Sequence, residues 1–147
     1  MNRNHTCPRE AGQPDEHAER MERARLSLRG LALGDGFGGC FFWRAVAAAA
    51  FRGRLPPAPW VYSDDTIMAV SVVETLGRFG RIEQDFLAGR FAARFKQAPD
   101  RGYGGGAMRL LAAIAAGADW RAESRALFGG TGSMGNGGAM RAGPVGA

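Results

Sequence analysis

Lysine is all but missing from this sequence: Lys96 stands alone against 18 arginines. Strand-forming residues are scarce as well. Val, Ile and Thr together number 13 of 147, and strands depend on β-branched side chains, so a sheet protein is excluded. The two cysteines, Cys7 and Cys40, make neither a disulfide framework nor a metal-ligand cluster. One lies in a polar tail and the other beside phenylalanines, which suits a reduced, cytoplasmic setting. No apolar run is long. The stretch Ala45 to Phe51 is stopped by Arg44 and Arg52, well short of the roughly 20 residues a membrane span needs. The first residues hold no apolar core of the kind a signal peptide requires.

Alanine and glycine are plentiful, with 26 Ala and 23 Gly. Alanine is the best helix former and the glycines cluster, so the composition reads as helices joined by glycine-rich loops, an all-α chain. With 147 residues there is room for one domain of ordinary size. Residues 1–17 carry no hydrophobic period and are expected to form a disordered tail, leaving 18–147 as the domain. The net charge of +5 does not mark a nucleic-acid binder, because the arginines are scattered. The densest group, Arg20, Arg23, Arg25 and Arg29, is interleaved with Glu19 and Glu22, whereas such binding needs basic residues on one face or in one run.

Hydrophobic spacing predicts a first helix from about Glu16 to Leu33, with Asp15 as N-cap and Ala24, Leu28, Leu31 and Ala32 on one face. The glycines from Gly34 to Gly39 are expected to break it. Leu55 to Trp60 carries three prolines and reads as an extended connector. Ser63-Asp64-Asp65-Thr66 opens a second helix along Ile67, Val70, Val73 and Leu76, ended by Gly77. A third runs from Ile82 to Phe95, with Phe86, Leu87, Phe91 and Phe95 as its buried face. Asp100 to Gly106 is a loop, Met108 to Ala116 a helix closing at Gly117, and Trp120 to Phe128 a short helix before a glycine loop.

Three constellations carry chemistry. In Ser63-Asp64-Asp65-Thr66, two adjacent carboxylates and two hydroxyls meet at a helix start. Clustered oxygen donors suit Mg²⁺ or Mn²⁺, and the same residues also suit a plain helix cap. Gly34-Asp35-Gly36-Phe37-Gly38-Gly39 and Gly130-Thr131-Gly132-Ser133-Met134-Gly135 both spell G-x-G-x-x-G, but neither follows a strand, so a dinucleotide fold does not fit. Backbone amides in such loops can still cradle phosphate. Asn136 and Arg141 flank Gly137 to Met140, a polar pair suited to a ribose or diphosphate and equally at home on a surface loop. No serine or cysteine has a histidine partner for a hydrolytic triad.

Four blocks, taken in order, resemble the ADP-ribosylglycohydrolase family: Arg29 to Asp35 with its glycines, Trp60 to Met68, Arg101 to Gly104, and Gly130 to Arg141. The resemblance covers roughly residues 22–147. It implies an all-α fold, two divalent ions (Mg²⁺ or Mn²⁺), and cleavage of the N- or O-glycosidic bond joining ADP-ribose to a modified side chain or small acceptor. By that resemblance Ser63, Asp64 and Asp65 are metal ligands, with Asp64 and Asp65 catalytic. Arg101, Gly102, Tyr103, Gly104, Gly105 and Gly106 line the ADP-ribose cleft. Gly132, Ser133, Gly135, Asn136, Gly137, Met140 and Arg141 lie near the ribose and diphosphate.

The sequence departs from the family pattern twice. A glutamate usual after the Gly-Asp block is absent, since no acid lies between Asp35 and Asp64. The late Asp-x-Asp-Ser/Thr motif is absent too, so the chain reads as the N-terminal half of a longer hydrolase, with impaired activity and apolar surface open to self-association. The expected partner is an ADP-ribosylated protein or a small ADP-ribose conjugate, with no nucleic acid and no membrane. Two other readings stand beside this: a non-catalytic ADP-ribose-binding module, and a fragment active only with a complementing chain.

Overall fold

The computed structural model describes residues 16–42 and 53–147, and among these every regular element is helical. Five α-helices follow in chain order: α1 (Glu16–Gly39), α2 (Asp64–Phe79), α3 (Gln84–Gln97), α4 (Gly105–Ala115) and α5 (Trp120–Ala126). Short 3₁₀ turns occupy Leu127–Gly130 and Gly143–Val145. Asp15 and the apolar stretch Ala45 to Phe51 lie outside the described residues.

α2 is the central element. Its apolar residues recur at helical spacing, and Ile67, Met68, Ala69, Val72 and Val73 are all buried. One flank packs on α1, where Met21 and Ala24 are buried, and the other on α3. Met68 and Val72 join Phe91 of α3, Tyr103 and Leu111 of α4 in one core, with Leu87, Phe95, Ile114 and Met140 packed around it. The expected buried face of α3 is therefore present, apart from Phe86, which stacks edge-on against Phe79 outside that cluster.

Two glycine expectations fail for the same physical reason. α1 does not break at Gly34 but continues to Gly39. A glycine inside a helix costs about 1 kcal/mol against alanine, and here it permits a close approach: a Cβ on Gly36 would lie 3.3 Å from both the Cβ and the carbonyl oxygen of Trp60. Likewise α2 passes through Gly77, where a Cβ would sit 3.3 Å from Met21 Cε, and stops one turn later. Its stop is Gly80, left-handed at φ 67°, whose N–H donates to the Leu76 carbonyl at 2.8 Å. α1 also begins at Glu16, two residues inside the expected tail, α3 is shifted to Gln84–Gln97, and α4 starts at Gly105, inside the expected loop.

Candidate active site

The four N–H groups at the start of α2 would be orphans in an isolated helix. Here each has a partner. Ser63 N–H donates to Asp35 Oδ2 at 2.8 Å, Asp64 N–H to the Arg101 carbonyl at 2.8 Å, Asp65 N–H to Ser63 Oγ at 3.2 Å, and Thr66 N–H to Asp35 Oδ2 at 3.2 Å. Two hydroxyls complete the arrangement: Ser63 Oγ donates to Asp35 Oδ1 at 2.7 Å and Thr66 Oγ1 to Asp35 Oδ2 at 2.6 Å. Capping is thus done by Ser63 and, from α1, by Asp35. Neither Asp64 nor Asp65 serves as the N-cap.

That arrangement fixes where the two acids go. Asp64 is only 8% exposed, and Asp65 is half-buried. Burial, then the neighbouring Asp65 and Asp35 charges, lift the Asp64 carboxyl above its ordinary range, against its own backbone hydrogen bond and Arg141. Burial and Asp35 lift Asp65 in the same direction. Bare backbone at Gly102 (φ 94°) lets the Asp64 carboxylate lie alongside, since a Cβ there would stand 3.4 Å from Asp64 Oδ1.

A cleft of about 1100 Å³ opens beside Asp64. Its floor is apolar, with Met68, Leu87, Phe91, Leu111 and Ile114. Gly104, Gly105 and Gly106 line it. So do Gly132, Ser133, Gly135, Asn136, Gly137, Met140 and Arg141. Arg141 lies over the Phe91 ring at 4.6 Å and donates to Met68 Sδ at 3.3 Å. Burial opposes its charge, and Asp64 is the anion that supports it. At the far wall the Phe128 ring covers Gly106, where a Cβ would come within 2.5 Å of Cζ. Phe128 itself holds a left-handed backbone (φ 55°), followed by Gly129, Gly130 and Gly132, also at positive φ.

Not every expected cleft residue faces this space. The Arg101 guanidinium packs over the Tyr62 ring at 5.2 Å, donates to the Tyr62 carbonyl at 3.2 Å, and with Ser63 lines a separate hollow of about 460 Å³. Tyr103 belongs to the core, edge-on to Phe95 at 5.1 Å, with its hydroxyl buried and unpartnered among the described residues. Asp65 and Gly102 line neither cavity.

Asp35 is the member of the site that sequence reasoning passed over, treating it as part of a glycine loop. One signal was available: an acid near a helix C-terminus opposes the helix dipole, and no basic residue offsets it in the last turn of α1.

The donor set suits a hard divalent cation in kind: two adjacent carboxylates and a hydroxyl, with raised proton affinities that an added positive charge would relieve. It is short in number. Among the described residues no group of three or more His, Cys, Asp or Glu converges on one point.

Helices throughout the described residues, with Asp64 and a glycine loop lining one cleft, accord with what sequence comparison finds. The family model for ADP-ribosylglycohydrolase matches residues 16–147, and the chain belongs to that family. Among individual relatives it is similar to ADP-ribosylhydrolase ARH3 of the mouse (38% identity, 84% of this chain and 38% of the relative). The chicken protein of that name matches at 34% identity over 81% of this chain and 38% of its own length. The human one matches at 42% over 54% of this chain and 23% of its own. The matches thus take in less than two fifths of the relatives' length.

Proposed function

We propose that this chain forms the acidic-turn and nucleotide-cleft part of a divalent-metal-dependent ADP-ribosyl hydrolase, acting on the glycosidic bond between ADP-ribose and a protein side chain or small acceptor. The observation that carries this reading is that Asp64 lines the same 1100 Å³ cleft as the loop Gly132 to Arg141. Asp64 and Asp65, with Ser63 Oγ, would hold Mg²⁺ or Mn²⁺. Such ions polarise ribose hydroxyls and water. The chain's own contribution is to orient and to take protons: a carboxylate of the Asp64–Asp65 pair accepts the proton of the attacking water. Asn136 and the loop amides hold the ribose and diphosphate, with the Arg141 cation behind them.

Three ligand side chains leave the rest of a six-oxygen shell to water and substrate; the chain alone is expected to bind metal weakly and to show no turnover. Exposed apolar side chains such as Leu33, Phe42 and Met134 favour self-association. No described helix is long and apolar enough to cross a membrane, and Cys40 is a free thiol; a cytoplasmic setting is consistent with both. Calorimetric titration with ADP-ribose, with and without Mg²⁺, tests the reading. Metal-dependent binding supports it. Metal-independent binding favours a non-catalytic ADP-ribose module, which the glycine loop alone could provide.

A further inference from the structure

The geometry points to Asp35 as a positioning residue: a carboxylate on α1 that sets the direction of the Asp64–Asp65 pair without itself joining any ligand shell. This rests on the metal reading above for its functional consequence and on hydrogen-bond geometry for its existence. Asp35 takes two backbone N–H groups and two hydroxyls, from Ser63 and Thr66, on either side of the acidic pair. The backbone of the intervening residues is held as well: Asp64 N–H is tied to the Arg101 carbonyl and Asp65 N–H to Ser63 Oγ. The sequence separation is 28 residues to Ser63 and 31 to Thr66, so the contact joins two helices and is no local turn. A charged acceptor forms shorter and stronger bonds than a neutral one, and preorganised ligands bind more tightly because less ordering remains to be done on binding. Oδ2 takes three of the four donors and Oδ1 one, so the carboxylate is engaged chiefly by the first turn of α2, and the variants below separate positioning from ligation.

The test uses the full chain with Mn²⁺ as probe, read by electron paramagnetic resonance titration, alongside thermal melts. Asp35→Ala removes every acceptor and should weaken Mn²⁺ binding at least tenfold. Asp35→Asn keeps an oxygen that can face the three donors now on Oδ2, and should recover much of that loss. Thr66→Val, which deletes one bond while leaving Asp35 charged, should weaken binding by a smaller factor, and Thr66→Ser should restore it. Equal losses for Asp35→Ala and Asp35→Asn would mean that charge or direct ligation acts, and would overturn the proposal. So would unchanged Mn²⁺ affinity in a folded Asp35→Ala, since a merely structural residue moves the melt alone. If the wild-type chain binds no Mn²⁺, the metal reading fails by itself. Amide exchange then decides: at least tenfold faster exchange at Ser63 and Thr66 in Asp35→Ala supports positioning, and unchanged exchange overturns it.

Discussion

The two sides of the cleft are built in opposite ways. On the α2 side, every donor of the first turn is paired: two with Asp35 of α1, one with the distant Arg101 carbonyl and one with Ser63 Oγ. On the loop side, residues 131–136 are exposed, and the described hydrogen bonds are local ones, such as Gly135 N–H to Ser133 Oγ at 3.0 Å and Met140 N–H to the Asn136 carbonyl at 2.9 Å. Few buried contacts and local bonding mark a segment that opens easily. The contrast matches the demands of the proposed chemistry. Cation ligands must be held in place beforehand, whereas a loop that wraps a nucleotide gains by adapting to it.

The strongest way to break the contrast is at the acids. Asp64→Asn and Asp65→Asn should each bring Mg²⁺ or Mn²⁺ binding below detection while helicity by circular dichroism stays nearly intact, because Ser63 and Asp35 still cap α2. Were the acids serving only the helix end, each change would cost about 0.5–2 kcal/mol of stability and leave metal affinity alone.

On the loop side, Asn136→Ala should weaken ADP-ribose binding by about 1–3 kcal/mol, the usual cost of a polar group left unpaired, with no change in melting temperature, since Asn136 is exposed. Unchanged affinity by titration would put the loop outside the site. Gly106→Ala sharpens the comparison at the junction of the two sides: its Cβ would meet the Phe128 ring at 2.5 Å and displace it, at a cost of about 1–3 kcal/mol in a chemical melt. A Phe128 that moves freely would make the change nearly neutral. Ser63→Ala should cost about 0.5–2 kcal/mol as a lost cap.

The smallest effect is a control remote from the cleft. Burial tends to raise the Glu74 carboxyl, but hydrogen bonds from Arg94 and Arg90 bring it below its ordinary value. A folded value below the unfolded one means stability present in full above the unfolded value and lost as pH falls through the folded one, below about pH 4. Because the Glu74 side chain is 38% exposed, at most about 1 kcal/mol is at stake. Urea melts at neutral and acid pH should show a shallower decline for Glu74→Gln than for the wild type.

Much of the helical layout was legible in the sequence: Leu87, Phe91 and Phe95 of α3 pack in or on the core as expected, whereas α2 is buried over most of its surface, with Met68 and Val72 in the core and the expected Val70 and Leu76 only half-buried. The metal-side motif was legible as a motif, but its two interpretations were not separable, since cap and ligand use the same residue types. Only the tertiary reach of Asp35 divides the roles. Gly36 and Gly77 were misread because a glycine that breaks a helix and one that admits a neighbour look alike until the neighbour is placed. Arg101 fell in a cleft-like motif yet turns to Tyr62, a choice made by the local ring rather than by spacing.

One further consequence follows from the 3₁₀ turn at Gly143–Val145. Pro144 is among the most completely enclosed residues, and Gly143 sits against Ser27 of α1, where a Cβ would be 3.1 Å from its hydroxyl. This joins positions more than a hundred residues apart, and contacts of such long range must await closure of the intervening chain. The stretch from Thr131 to Arg141 is therefore anchored at its downstream end by the slowest kind of contact to form. In refolding, the acidic turn should acquire its native order ahead of the stretch from Thr131 to Arg141, and the packing around Pro144 should be the last to form.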